Sequence, residues 1–189
     1  MPLGPIDPDT GERQTLDEIR DWQRGMVEAL VDQRALVARA IREGSAVTTR
    51  FATMPEADLD GYFDIQQREL ERLTMLNLVA SAEASIKDDY FHRVRKHLKD
   101  PLSRAYQNWC KKLPATKRRR PDFDKGGILE VLKGAKVMQD HIVREYRECL
   151  RTRHWVGHGR NWEKPEEVDE LDPDDVYDRA SALLQAMPT

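Results

Sequence analysis

The segment RTRHWVGHGRNW, residues 151–162, carries the residues best suited to chemistry. In it, Arg153 and His154 precede His158, which has a glycine on either side. An imidazole, with an unperturbed pKa of about 6.5, exchanges protons near neutral pH, and a guanidinium is a permanently charged planar fork that binds oxyanions. The glycines predict that a helix ends here and leaves the imidazole of His158 accessible.

Two ionisable residues fall on predicted apolar helix stripes. At 100° per residue, Glu83 lies in the middle of a stripe on a helix expected from about residue 59 to 98. Arg153 continues the stripe of a helix expected from about residue 128 to 156. Burying either charge alone would cost several kcal/mol, so we expect the two to face each other. The alternative to a functional pair is a buried structural ion pair that joins the two helices.

The remaining pattern is helical, without strand-like alternation. Residues 1–14 are rich in proline and glycine and predict a flexible arm, and Thr15 with Glu18 forms a capping box that opens a helix ending at Gly44. The 59–98 helix is either continuous or broken near Gly61. Asp100-Pro101 opens a shorter helix, a polar loop follows, and Asp172-Pro173 opens the last helix. We expect an all-α fold, a bundle of about five helices forming one domain over residues 15–189.

Composition limits the class of protein. Of the 189 residues, 39% are hydrophobic and 34% charged, as in amphipathic helices around a single core. No run approaches the roughly 20 apolar residues of a membrane span, the start lacks the pattern of a secretory signal, and Cys110 and Cys149 form no CxxC pair. A cytoplasmic protein with two free thiols is the simplest prediction.

The net charge of −3 is unevenly distributed. Residues 87–160 hold 20 Lys and Arg against 9 Asp and Glu, a net charge of +11. Such a basic region can attract a polyanion such as RNA, or it can neutralise the acidic parts of the fold or of a dimer partner. Composition alone leaves both possibilities open.

Arg153, His154 and His158 resemble the motif of the HEPN ribonucleases. That motif is an arginine, often followed by Asn, Asp or His, and then a histidine after four to six intervening residues, at the end of a late helix in an all-α bundle. His154 fits the polar second position, and Glu83 matches the carboxylate on an earlier helix that meets the arginine in some members. The resemblance covers roughly residues 70–160. Arg151 also satisfies the loose spacing, although the stripe favours Arg153.

The resemblance implies a metal-independent endoribonuclease without a cofactor, in which the ribose 2′-hydroxyl attacks the phosphate and leaves a 2′,3′-cyclic end. His158 would transfer the proton, Arg153 would hold the phosphorane oxygens, and Glu83 would orient Arg153. Related enzymes pair two motifs across a homodimer, so a composite site is expected. A toxin, phage-defence or RNA-processing role, with an antitoxin or regulatory partner, is implied by the family alone. The main alternative is a non-catalytic helical module that binds a nucleotide, RNA or a partner protein.

Several arginines and lysines are candidates for contact with the RNA backbone. The run of four basic residues in the polar loop is either such a surface or an ordinary solvated loop. The candidate residues are Lys117, Arg118, Arg119, Arg120, Arg151 and Arg160.

Two further predictions concern the neighbours of His158. His154 and His158 have the i, i+4 spacing of a metal-binding pair, but no third ligand is near in the sequence and Gly157 is expected to interrupt the turn, so no metal is predicted. Trp155 and Trp162 could stack on bases, but packing against the core is the better prediction.

Overall fold

The computed structural model describes residues 14–47, 50–160, 163–164 and 171–188. Nearly all of the expected arm, residues 1–14, and Trp162 therefore lie outside the described residues. Within them the chain is all-helical and contains no strand. None of the described helices combines the length and the apolar character that crossing a membrane requires.

Seven helices occur in the described residues. In chain order they are α1 Leu16–Arg42, α2 Glu56–Lys96, α3 Pro101–Lys112, α4 Ala115–Arg119, α5 Ile128–Gly134, α6 Asp140–Gly157 and α7 Pro173–Gln185. This exceeds the expected number of about five because the polar loop contains the short α4 and because the 128–156 helix is divided in two.

The prediction of one helix over residues 128–156 is wrong. α5 ends at Gly134, Lys136 adopts a positive φ of 52°, and α6 begins at Asp140. Lys136 therefore interrupts the helical path, since the left-handed region does not continue an α-helix. Gly61, by contrast, does not break α2, which is continuous over 41 residues.

The predicted starts of α1 and α7 are confirmed. The Thr15 backbone N–H donates to Glu18 Oε2 at 2.7 Å, and the Glu18 N–H donates back to Thr15 Oγ1 at 3.2 Å. Asp172 and Asp175 form the same reciprocal arrangement at the start of α7. Both boxes satisfy backbone donors that a helix N-terminus would otherwise leave without partners.

α2 is the central element of the fold. At a rise of about 1.5 Å per residue it spans roughly 60 Å, and two apolar clusters form along it. The main core surrounds its second half, where buried side chains of α3, α5, α6 and α7 pack. A smaller cluster built on Phe51, Leu59 and Phe63 joins its first half to α1.

A second buried charge on α2 was not predicted from the sequence. The Arg93 side chain is only 4% exposed, and its guanidinium pairs with Asp89 at 2.7 Å and with Asp100 at 3.0 Å. It also donates to the backbone carbonyl of Pro188, near the end of the described chain. Arg93 therefore ties α2 to the start of α3 and to the segment after α7, and its charge is compensated within the core.

The loop before α5 is folded tightly on Gly127. A Cβ added at this position would lie 2.2 Å from the carbonyl oxygen of Asp122, a backbone atom that cannot rotate away. The same carbonyl accepts a hydrogen bond from the Ile128 N–H at 3.0 Å, and this bond closes the loop. A Cβ at residue 127 would therefore disturb the bond that closes the loop. The residue at this position must therefore be glycine.

Gly127→Ala is expected to lower the free energy of unfolding by about 1–3 kcal/mol, since the added methyl group forces the 122–127 loop apart. Gly61→Ala is the matched control, because nothing lies within 4 Å of a Cβ there and alanine favours a helix interior by about 0.5–1 kcal/mol. Urea denaturation of both variants measures the difference. Equal stability of the two variants would contradict the tight loop.

Candidate functional site

An open cleft of about 900 Å³ lies between α2, α6 and the loop that precedes α5. Its walls are mostly charged, with cations and anions in nearly equal number. The residues lining it are Glu83, Lys87, Pro121, Asp122, Phe123, Asp124, Lys125, Glu130, Arg147, Leu150, Arg151, Arg153 and His154. Three residues of the predicted catalytic group, Glu83, Arg153 and His154, are therefore brought together in one cavity.

Glu83 is the most buried charge of the cleft, with 11% of its side chain exposed. One carboxylate oxygen accepts from Lys87 Nζ at 2.5 Å, and the other lies 3.4 Å from Arg153 Nη2. The predicted contact between Glu83 and Arg153 is thus present. Two cationic partners compensate this buried carboxylate, whereas burying an unpaired one would cost several kcal/mol.

Arg153 lies at the edge of the core, not within it. About one third of its side chain is exposed, and the neighbouring Thr152 is the residue that turns fully inward. Arg153 is therefore more exposed than its predicted place on the core stripe required. Because the contact with Glu83 engages Nη2, the guanidinium can hold the carboxylate and still present other N–H donors to the cleft.

The two motif histidines form a parallel pair at the end of α6. Their ring planes differ by 2° and their centroids are 5.9 Å apart. α6 ends at Gly157, as predicted, but the His158 N–H still donates to the His154 carbonyl at 3.1 Å. The expected interruption of the turn by Gly157 is therefore wrong, and this intact turn is what stacks the two imidazoles.

The histidines differ in their relation to the cleft. His154 lines it, whereas His158, one turn further along, is not among the lining residues, and both residues are exposed. Partial burial, together with the positive charge of Arg153 and the neighbouring His158, lowers the pKa of His154 below its ordinary value. The folded protein therefore binds this proton less readily than the unfolded chain, and stability falls as the pH drops from 6.5 towards the folded pKa.

Arg151 and Arg153 both line the cleft, so position in the cleft alone does not identify the motif arginine. Arg151 is exposed, and the Glu83 carboxylate is 3.4 Å from Arg153. The contact that orients a guanidinium is thus at Arg153, as the sequence pattern favoured. Arg151 adds a second positive charge to the same wall.

The four basic residues of the polar loop do not line the cleft. Lys117 pairs with Asp122 at 2.6 Å, and Arg118 donates to the carbonyls of Leu113 at 2.8 Å and Lys111 at 2.9 Å. Arg118 therefore satisfies carbonyls at the end of α3, where a helix leaves them without partners. Arg119 and Arg120 are exposed, and Asp122 connects this loop to the cleft wall.

Arg160 lies outside the cleft. Its guanidinium pairs with Glu69 of α2 at 2.6 Å and sits 5.6 Å from the ring centroid of Trp155. Trp155 is 6% exposed, as the packing prediction required. Arg160 therefore links α2 to the end of α6 and is not one of the cleft residues.

Three cations of the cleft, Lys87, Lys125 and Arg147, were missed in the sequence. Lys87 follows Glu83 by one helical turn, a spacing that regularly forms ion pairs. Arg147 pairs with Asp124 at 3.0 Å and with Glu130 at 2.6 Å, which joins α6 to the loop and to α5. Arg147, Arg151 and His154 have the i, i+4, i+7 spacing of one helix face, so the basic face of α6 could have been recognised.

Among the residues that the structure describes, no three His, Cys, Asp or Glu side chains are grouped closely enough to hold a metal ion. Comparison of the chain with family models, curated proteins and solved structures found no match. The function must therefore be inferred from the geometry of the cleft and from the chemistry of its residues.

Arg153→Met is expected to raise the pKa of His154 towards its ordinary value, because the substitution removes a neighbouring positive charge and keeps the side-chain volume similar. NMR titration of the imidazole protons measures this pKa. Arg144→Met, at an exposed position of the same helix outside the cleft lining, is the control and should leave it unchanged. An unshifted His154 pKa in Arg153→Met would show that the two groups do not interact.

Proposed function

We propose that the protein is a metal-independent endoribonuclease of the HEPN type. The observation that carries the proposal is the cleft in which Arg153, fixed by Glu83, lies on the same helix end as the stacked pair His154 and His158. An all-helical fold with the motif at the end of α6 supports it. The cytoplasmic location, the toxin or defence role, the homodimer with a composite site and the antitoxin partner remain parts of this proposal that follow from the resemblance.

The proposed reaction uses the ribose of the substrate as the nucleophile. An imidazole accepts the proton of the 2′-hydroxyl while the 2′-oxygen forms a bond to the adjacent phosphorus. The bond from phosphorus to the 5′-oxygen breaks, and that oxygen takes up a proton from a protonated imidazole of the histidine pair. The products are a 2′,3′-cyclic phosphate and a 5′-hydroxyl, so neither a metal-bound water nor a redox partner enters the balance.

The residues differ in their roles according to their positions. Arg153, with Glu83 fixing its orientation, stabilises the charge that develops on the phosphorane oxygens. Arg151 and Lys87 on the same walls add positive potential for the phosphate. We assign proton transfer to the histidine pair: His154 faces the cleft, and its lowered pKa keeps it able to accept a proton at neutral pH. His158 occupies the position of the motif histidine, to which the resemblance assigns proton transfer.

A non-catalytic binding module is the second candidate, and two observations favour it. The Arg147 guanidinium is held by two carboxylates, and His158 does not line the cleft. Such a cleft can bind a phosphate group of RNA or of a nucleotide through Arg151 and Arg153 without completing a proton transfer. The two candidates differ in whether the bound RNA is cut.

The parent protein is expected to cleave mixed RNAs in the presence of EDTA. Arg153→Ala, His154→Ala and His158→Ala should each reduce the rate by about 100-fold or more, the usual contribution of an oxyanion donor or a general acid or base. Arg144→Ala is the matched control on α6 and should retain parental activity. Gel analysis of end-labelled RNA, with identification of the cyclic phosphate end, measures the outcome.

Cleavage that persists in all three of these variants would indicate a contaminating nuclease and contradict the proposal. RNA binding without cleavage by the parent would support the binding module instead. A substrate with a single 2′-deoxy ribose at the cleavage position provides an independent check, since it lacks the nucleophile and should remain intact there.

The double variant Arg119→Gln/Arg120→Gln is expected to weaken RNA binding, because both side chains are exposed on the basic loop. The slope of log K against log salt for single-stranded RNA should fall by about 0.7 for each phosphate that the variant no longer neutralises. Fluorescence anisotropy at several salt concentrations measures it. Lys133→Gln/Arg144→Gln removes the same charge from exposed positions elsewhere, and an equal effect from it would assign the binding to net charge alone.

A further inference from the structure

α1 carries a second apolar stripe that the fold does not use. The face towards the rest of the chain includes the buried Leu16 and Ile19 and the residues that pack on the α1–α2 cluster. The second stripe, which we call the α1 seam, consists of Trp22, Met26, Ala29, Gln33, Leu36 and Ala40. The exposed fractions of its large members are 44% for Trp22, 40% for Met26 and 65% for Leu36.

The spacing within the α1 seam alternates strictly between four and three residues. This is the spacing of the core positions of a coiled coil, where such a stripe packs against a second helix. Scattered exposed apolar residues are ordinary, but a continuous row along most of a 27-residue helix indicates a contact surface. The single polar member, Gln33, lies near the middle of the row, where a polar residue commonly fixes register.

The α1 seam is complementary in size to a second, antiparallel copy of itself. When two copies run in opposite directions, positions equally distant from the midpoint at Val31 lie opposite each other. Trp22 of one copy then faces Ala40 of the other, Met26 faces Leu36, and Ala29 faces Gln33. The largest side chain is thus paired with a small one, as close packing between two helices requires.

The charges at the two ends of α1 favour the same orientation. Its first turns carry Asp17, Glu18 and Asp21 against Arg20 and Arg24, a net charge of −1, and its last turn carries Arg39 and Arg42, a net charge of +2. An antiparallel arrangement brings the acidic end of each copy beside the basic end of the other, whereas a parallel one places like charges together. The complementarity is internal to one helix, so the partner that satisfies it is another copy of the same helix.

We propose that the α1 seam is a homodimer interface in which the α1 helices of two copies pack antiparallel, with the two-fold axis crossing the seam between Ala29 and Gln33. None of the seam residues lines the cleft, so this contact is separate from the proposed nuclease site and differs from the contact that would pair two motifs in a composite site. The two-fold symmetry makes the same patch serve both copies, which is the commonest form of protein dimer.

Sedimentation velocity of the protein without RNA tests the interface independently of nuclease activity. The parent is expected to self-associate through α1 and to dissociate on dilution, and Met26→Glu and Leu36→Glu should each raise the dissociation constant of this contact at least about tenfold, because a charge is buried in the seam. Val31→Glu is the control, since Val31 is 56% exposed on the opposite side of the helix and should leave the dimer intact. Circular dichroism confirms that the variants remain helical.

Disulfide trapping tests the orientation. In a Cys110→Ser background, mixed Met26→Cys and Leu36→Cys proteins should cross-link to each other faster than either cross-links to itself. A parent that stays monomeric at all concentrations would overturn the proposal, and so would a control that dissociates as readily as the seam variants. Preferred cross-linking of Met26→Cys to itself would overturn the antiparallel orientation.

Discussion

The need to compensate one buried carboxylate determines where the charged cleft lies. Glu83 occupies a position of α2 where most neighbours are apolar, and a carboxylate there requires a partner. Lys87 provides one from the same helix, and Arg153 provides the other from α6. The second contact fixes α6 against α2 at its last turns, and the end of α6 is therefore placed where the loop before α5 can form the opposite wall.

The comparison with Arg93 shows why the environment of Glu83, and not burial of charge as such, indicates a functional site. Arg93 is as deeply buried, but Asp89, Asp100, Ser103 and a backbone carbonyl surround it, and it joins three parts of the chain. Its donors are used inside the protein. Glu83 and Arg153 lie instead against an open cavity, where Arg153 remains one third exposed. A compensated charge inside the core supports the fold, whereas one at a cavity can also meet a ligand.

The sequence predicted those features that depend on neighbouring residues. The Thr15 and Asp172 caps, the end of α6 at Gly157 and the pairing of Glu83 with Arg153 follow from local signals and from helical periodicity. The division of the 128–156 region was missed because the apolar residues keep the same helical phase on both sides of the break. Gly134 is the signal that could have revealed it, since glycine is a poor helix former.

Contacts between distant parts of the chain could not be predicted in the same way. Apart from Asp89, the partners of Arg93 come from the start of α3 and from Pro188, and those of Arg147 are Asp124 and Glu130. An arginine with such partners has the same sequence pattern as a solvated one, because the pattern records which face it occupies and not what that face meets. The same limit applies to Arg118, whose use at the end of α3 is invisible in the basic run that contains it.

The balance of charge in the cleft has a consequence for any anionic ligand. Arg147 is held by two carboxylates, and a phosphate could recruit it only by displacing Asp124 or Glu130. Arg153 has a longer contact of 3.4 Å to Glu83, and a guanidinium has five N–H donors, so it can bind a phosphate without losing the carboxylate. Glu83 lowers the net positive charge that the ligand meets but fixes the plane of the guanidinium. The Glu83 carboxylate therefore weakens the electrostatic attraction of the cleft for anions but holds the Arg153 guanidinium in one orientation. This favours a phosphate group in one defined position over loosely held anions.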